Sequence, residues 1–207
     1  MSEHHDHSHA VVTEENSKKL MVALGLTTTF LIVEVVAAFI TQSLALLSDA
    51  AHMFTDVAAL AIALAAIKIG KKAADDKRTF GYQRFEILAA LFNAVMLFVV
   101  AIYIVYEAYQ RFTNPAEIQS VEMMIVAVIG LVVNLISMKI LSASAEGSLN
   151  IKGAYLEVLS DALGSIGVII GGIVIYFTQW MWVDTVIAVL IGFWVLPRTW
   201  ILLKQSI

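Results

Sequence analysis

The chain has 207 residues, of which 60% are hydrophobic and 14% charged, and its mean hydropathy is +0.85. Soluble domains carry about 25% charged residues, so lipid rather than water must face most of this chain. The net charge of −4 with no basic stripe excludes a nucleic-acid partner, and the absence of cysteine excludes disulfides and thiolate metal sites.

In chain order, residues 1–17 come first as a polar tail. Its run HHDHSH holds His4, His5, His7 and His9, a composition that binds divalent metal. The interruptions by Asp6 and Ser8 distinguish it from a purification tag. A cytoplasmic metal-collecting tail, disordered without metal, is expected. It is not a signal peptide, because the apolar segment that follows is long enough to span and no small-residue cleavage site succeeds it.

A hydrocarbon core of roughly 30 Å needs about 20 apolar residues in helix. Six segments qualify: 20–40, 44–69, 85–109, 121–141, 153–177 and 181–203. They are about twice too long for the strands of a closed barrel and do not alternate. The predicted fold is therefore all-α, a polytopic membrane protein of six transmembrane helices covering 18–207. With the N-terminus in the cytoplasm, 12 of the 13 basic residues fall on the inner side and Arg111 alone on the outer. That asymmetry predicts cytoplasmic N- and C-termini. The charged stretch 70–84 is then a solvated cytoplasmic loop.

Polar side chains inside these spans need a reason, since a charge at the bilayer centre costs at least about 2.5–3.5 kcal/mol. Glu34 lies in span 1, Asp49, His52 and Asp56 in span 2, and Asn93 in span 3. Asn134 lies in span 4, Glu157 and Asp161 in span 5, and Asp184 early in span 6. His52 and Asp56 are four residues apart, on one helix face and one turn from each other. Glu157 and Asp161 repeat that spacing. Two such helices supply four N/O ligands, the number Zn²⁺ prefers, and the oxygen-rich set also admits Co²⁺ or Cd²⁺. Polar pairs of this spacing also suit interhelical hydrogen bonds or a metal-free proton path. By these span limits the span 5 pair lies nearer the cytoplasm than the span 2 pair, and the two meet only if span 5 starts earlier or one helix is displaced.

Glu34 has no partner in its own helix and is read as a buried hydrogen-bonder or a proton-handling group. Asp49, one turn outward of His52, is given a packing or cavity-access role. Asn93 and Asn134 are read as interhelical glue, and Asp184 as an acid favoured in the first turn of its helix.

Three stretches, SLALLSDAAHMFTD (43–56), RTFGYQRFE (78–86) and GAYLEVLSDALGS (153–165), resemble the cation diffusion facilitator family of divalent-metal exporters, in particular its cobalt–zinc–cadmium resistance branch. The resemblance implies efflux of Zn²⁺, or of Co²⁺ or Cd²⁺, by proton-coupled antiport and alternating access. It implies a multi-pass protein of a bacterial inner or plasma membrane, a homodimer, and metal as substrate with no cofactor. It places the transport site on His52, Asp56 and Asp161, with Glu157 where zinc-selective members commonly carry a second histidine. With its three carboxylates ionised, that site holds −3 before a dication enters. Members usually continue into a cytoplasmic metal-binding domain, which is expected to be absent here because the sequence ends just after span 6. Two other readings compete: a proton-coupled organic-cation exporter with Glu34 as its essential acid, and a non-transporting metal-sensing membrane subunit. An enzyme is not expected, because nothing positions a nucleophile or a water-filled substrate cleft.

Overall fold

The computed structural model describes residues 14–70, 81–114, 116–145 and 149–206, with backbone alone over stretches that include 62–70, 81–94 and 195–206. Six helices account for them: α1 (Glu14–Thr41), α2 (Leu44–Gly70), α3 (Gly81–Thr113), α4 (Ser120–Ala145), α5 (Leu149–Thr178) and α6 (Trp182–Ser206). There is no strand among the described residues. The helices take in nearly all of the six predicted apolar segments, and most extend past them by several residues. Backbone groups that cannot meet water must bond within their own segment, and helix is the local answer. The main correction is at α5, which begins at Leu149, four residues before the expected start. The histidine tail lies outside the described residues, and so does the side chain of Asn93.

Among the described residues, three stretches are long and apolar enough to cross a membrane: Lys18–Thr41, Ser120–Ala143 and Ile151–Thr178. The outward faces agree with a lipid setting. Phe177 is 78% exposed and Tyr109 71%, and Phe98, Val105, Leu190, Phe193 and Trp194 also face outward. A water-facing monomer rarely shows so continuous an apolar surface. Trp180 and Trp182 stack at the α5–α6 turn, with ring centroids 5.7 Å apart, as side chains of an interfacial aromatic belt do.

Short turns set the helix pairing. Thr41 ends α1 and Gln42 adopts a left-handed φ of 58°, so that the Ser43 N–H donates to the Ala38 carbonyl at 3.1 Å. This is a helix-ending motif that usually employs glycine; here the Gln42 amide adds a bond to the Phe39 carbonyl at 2.8 Å. The Gln119 N–H donates to the Thr41 carbonyl at 3.1 Å, which ties the start of α4 to the end of α1.

Helices α4 and α5 form the most extensive pair, α1 packs on α2 and α4, and α3 lies against α2 and α6. Small residues permit the close approaches. Gly130 faces the ring of Phe30, and Gly172 faces Met123 and Met124, each with no room for a Cβ. Buried apolar clusters occupy both ends of the bundle, one around Leu46, Met123 and Ile175, the other around Leu20, Leu141 and Ile151. Between them, α2 and α5 bring their polar residues together.

Candidate metal centre

His52 and Asp56 are one turn apart on α2, and the His52 Nε2 lies 3.5 Å from Asp56 Oδ2. Across the helix interface the same nitrogen lies 3.7 Å from Asp161 Oδ1 on α5. One ligand atom from each of the three falls within 4.8 Å of the others. A tetrahedral ion with bonds of about 2.0 Å holds its donors about 3.3 Å apart, so the cluster needs little contraction to close on a metal. His52 and Asp161 are buried, at 5% and 2% exposure, and the Asp56 side chain is partly open at 12%. Such a histidine and two carboxylates away from water make a donor set for a small, hard-to-borderline dication.

Glu157 stands one turn before Asp161 and lines a small cavity together with Asp56, Asp161, Thr27 and Met53. It is a wall residue of the cavity rather than a member of the three-residue cluster. The cavity continues along Ala23, Leu141 and Ala154, toward the end of the bundle where α1 and α5 start and α4 stops. Sequence spacing therefore identified four residues, of which the fold brings three to one point and the fourth to the wall of the adjoining cavity. The mismatch in depth expected between the two pairs is absent at Asp161, which stands level with His52, and α5 starts earlier than expected, at Leu149.

Glu34 and Asp49 find each other. Both are 1% exposed, and their carboxyl groups meet side chain to side chain between α1 and α2. Glu34, alone in its own helix, acquires its partner from the next one. Asp49 also fits a notch in α5: a Cβ added at Gly164 would stand 2.6 Å from its Oδ1.

Asn134 departs from its expected role. Its side chain is 0% exposed, yet neither amide atom has a hydrogen-bond partner, and Ser137 Oγ one turn on is in the same condition. Asp184 stands where expected and does more. Besides standing in the first turn of α6, its carboxylate accepts the N–H groups of Leu44 at 2.7 Å and Ala45 at 3.2 Å, capping α2. Ser43 precedes α2 and accepts the Leu46 N–H on its Oγ, so the sequence contained that half of the cap. The other half is about 140 residues away and left no local signal.

Comparison with known proteins gives a consistent picture. The family model described as the cation efflux transmembrane domain matches residues 20–207. The chain is 64% identical over 203 residues to the metal cation efflux system protein CzcD of Cupriavidus metallidurans, covering 98% of this chain and 63% of that protein. It is 42% identical over 194 residues to the cadmium, cobalt and zinc/H⁺–K⁺ antiporter of Bacillus subtilis, covering 93% and 62%. It is 42% identical over 207 residues to the zinc transporter ZitB of Escherichia coli, covering 98% and 66%. The chain thus spans slightly less than two-thirds of the length of the first two of these relatives.

Proposed function

We propose, from the premise that this chain belongs to the cation efflux family, that it is the membrane-embedded transport unit of a bacterial exporter of Zn²⁺ and related dications. The observation that carries this reading is the cluster of His52, Asp56 and Asp161 at the α2–α5 interface. The names of the relatives, a metal cation efflux protein, a cadmium, cobalt and zinc antiporter and a zinc transporter, support the same substrate class.

The six helices are six spans, with the N-terminus and the cavity mouth on the cytoplasmic side. The distribution of Lys and Arg supports that orientation. Metal enters by way of Glu157 and Asp56, and it is the substrate, not a resident cofactor. Because His and carboxylate ligate only when deprotonated, binding releases protons, and protons returning from the outside compete for the same atoms. Rocking of the helices between inward- and outward-facing states exposes the cluster to each side in turn. The second carboxyl pair, Glu34 with Asp49, can hold a proton between its oxygens and supports a proton-handling role beside the metal cluster. The His4, His5, His7 and His9 tail collects metal, and the transporter works as a homodimer.

The deciding experiment is transport in proteoliposomes. Asp56→Ala and Asp161→Ala should each abolish zinc-driven proton movement and zinc binding by titration calorimetry, with helical content unchanged. Full transport by either variant would remove the site from these positions. An organic-cation carrier would show no zinc binding dependent on Asp56, and a metal sensor would show binding without flux.

A further inference from the structure

At the end of the bundle opposite the cavity mouth lies a polar cluster that the transport cycle above does not use. Asp184, 0% exposed in the first turn of α6, receives four donors from two other helices and their flanks. Ser43 Oγ donates at 2.6 Å, the Leu44 N–H at 2.7 Å, the Ala45 N–H at 3.2 Å and Arg111 Nη1 at 3.4 Å. The first three belong to the start of α2, and Arg111 to the last turn of α3. Arg111 also donates to the Gln42 carbonyl at 2.8 Å and to Glu107 at 3.2 Å. One turn deeper, Ser48 Oγ donates to the Ala188 carbonyl at 2.9 Å, and His52 follows one turn beyond Ser48. Helix α2, which carries two residues of the metal cluster, is thus fastened to α6 and α3 at one end, while the cavity reaches the cluster from the other.

We propose that Asp184 and Arg111 form an outer latch, a positioning pair that holds α3 against the joined ends of α2 and α6 while the site is open to the N-terminal face. The pair must part before the site can open the other way. The inference rests on the orientation given above, in which Arg111 is the one basic residue on the outer side. Charge explains why this contact is the latch. Three of the four bonds to Asp184 complete the cap of α2 and join it to α6, so those two helices can travel together, whereas the Arg111 bond crosses to α3 and is the longest of the set. A charge-assisted bond outweighs a neutral one, and this one, long and only partly buried, can break and leave the helix caps intact. Alternating access needs such an element, with two arrangements of which the minor one is populated at about 0.1–10%.

The test exploits the absence of cysteine in the chain. Ser48→Cys places a single thiol beneath the latch, where Ser48 is 3% exposed. In sealed vesicles without metal, a membrane-impermeant maleimide applied from the Arg111 side should label it slowly. Arg111→Gln should speed that labelling about 10-fold, as expected when a minor outward-open state becomes a substantial fraction, and Arg111→Lys should largely restore the slow rate. An unchanged rate in Arg111→Gln overturns the latch, and so does equal acceleration from both faces, which marks loosening of the fold. Should Ser48→Cys fail to accumulate, the cysteine-free protein decides through its kinetics. Arg111→Gln should raise the zinc KM on the N-terminal face about 2-fold, as the competent fraction falls to about half; an unchanged KM overturns the proposal. A Ser2→Cys marker reports sidedness in parallel vesicles, so a wrong orientation is read there, separately from the latch.

Discussion

Asp161 Oδ1 stands 3.7 Å from His52 Nε2, although the two residues are separated by 109 positions and lie on helices with few direct contacts. The approach is local and depends on what the neighbours omit. Gly164, one turn past Asp161, has no side chain where Asp49, one turn before His52, needs its carboxyl. Helix α2 and helix α5 therefore share two matched positions, one that bonds a ligand cluster and one that makes the distance possible.

Filling that notch should separate the helices. Gly164→Ala puts a Cβ 2.6 Å from Asp49 Oδ1 in a buried setting. Overpacking of this kind costs about 1–3 kcal/mol, so a lower thermal midpoint in detergent is expected, together with weaker zinc binding. Gly25→Ala is the control, since nothing lies within 4 Å of its added Cβ. In mid-helix that change should be neutral or stabilising by up to about 1 kcal/mol. Equal midpoints for the two variants would contradict the packing account.

The cap of α2 gives a second expectation. Ser43 Oγ accepts the Leu46 N–H at 3.1 Å and donates to Asp184 at 2.6 Å. Ser43→Ala removes both bonds and leaves a buried carboxylate with one donor fewer. Loss of a serine cap costs about 0.5–2 kcal/mol, and burial places this one toward the upper end. Thermal or denaturant unfolding measures it, and Ser43→Thr should recover most of the loss because it keeps the hydroxyl.

The positions of these residues show where sequence reading succeeds and where it stops. Helix periodicity and the cost of buried charge pick out His52, Asp56, Glu157 and Asp161, because both rules are local and act within a few turns. Helix limits are less local: the apolar pattern suggested 153 as the start of a span, yet α5 runs from Leu149. The meeting of Glu34 with Asp49 and of Asp184 with the start of α2 depends on the register between helices. No spacing along the chain encodes it. Gly164 is likewise silent in sequence, since its meaning lies in the side chain opposite.

Glu157 lines the cavity beside the three-residue cluster, so it should govern selectivity more than binding as such. Glu157→His adds a nitrogen donor and removes a negative charge beside Asp56. A nitrogen ligand favours zinc over harder, oxygen-preferring dications. The expected result is a higher ratio of zinc to manganese transport, read by competition in proteoliposomes. An unchanged ratio would remove Glu157 from the selectivity filter.

The final expectation separates proton handling from metal binding. Glu34 is buried against Asp49, on a different helix from every residue of the metal cluster. Glu34→Gln keeps the size and one acceptor oxygen and can donate to Asp49 through its amide, so the helices need not move. It cannot exchange a proton near neutral pH. If the pair carries protons, zinc affinity by calorimetry should stay within about 3-fold of the parent, a shift under 1 kcal/mol. Zinc-driven acidification across proteoliposomes should fall at least about 10-fold, the scale of removing one proton-transfer group. Calorimetry in buffers of different ionisation enthalpy adds the proton count, because ligands that deprotonate on binding release protons to the buffer. Parent and variant should release the same number at the cluster if Glu34 acts only during transport. A parallel loss of affinity and flux would instead make the pair a structural brace between α1 and α2.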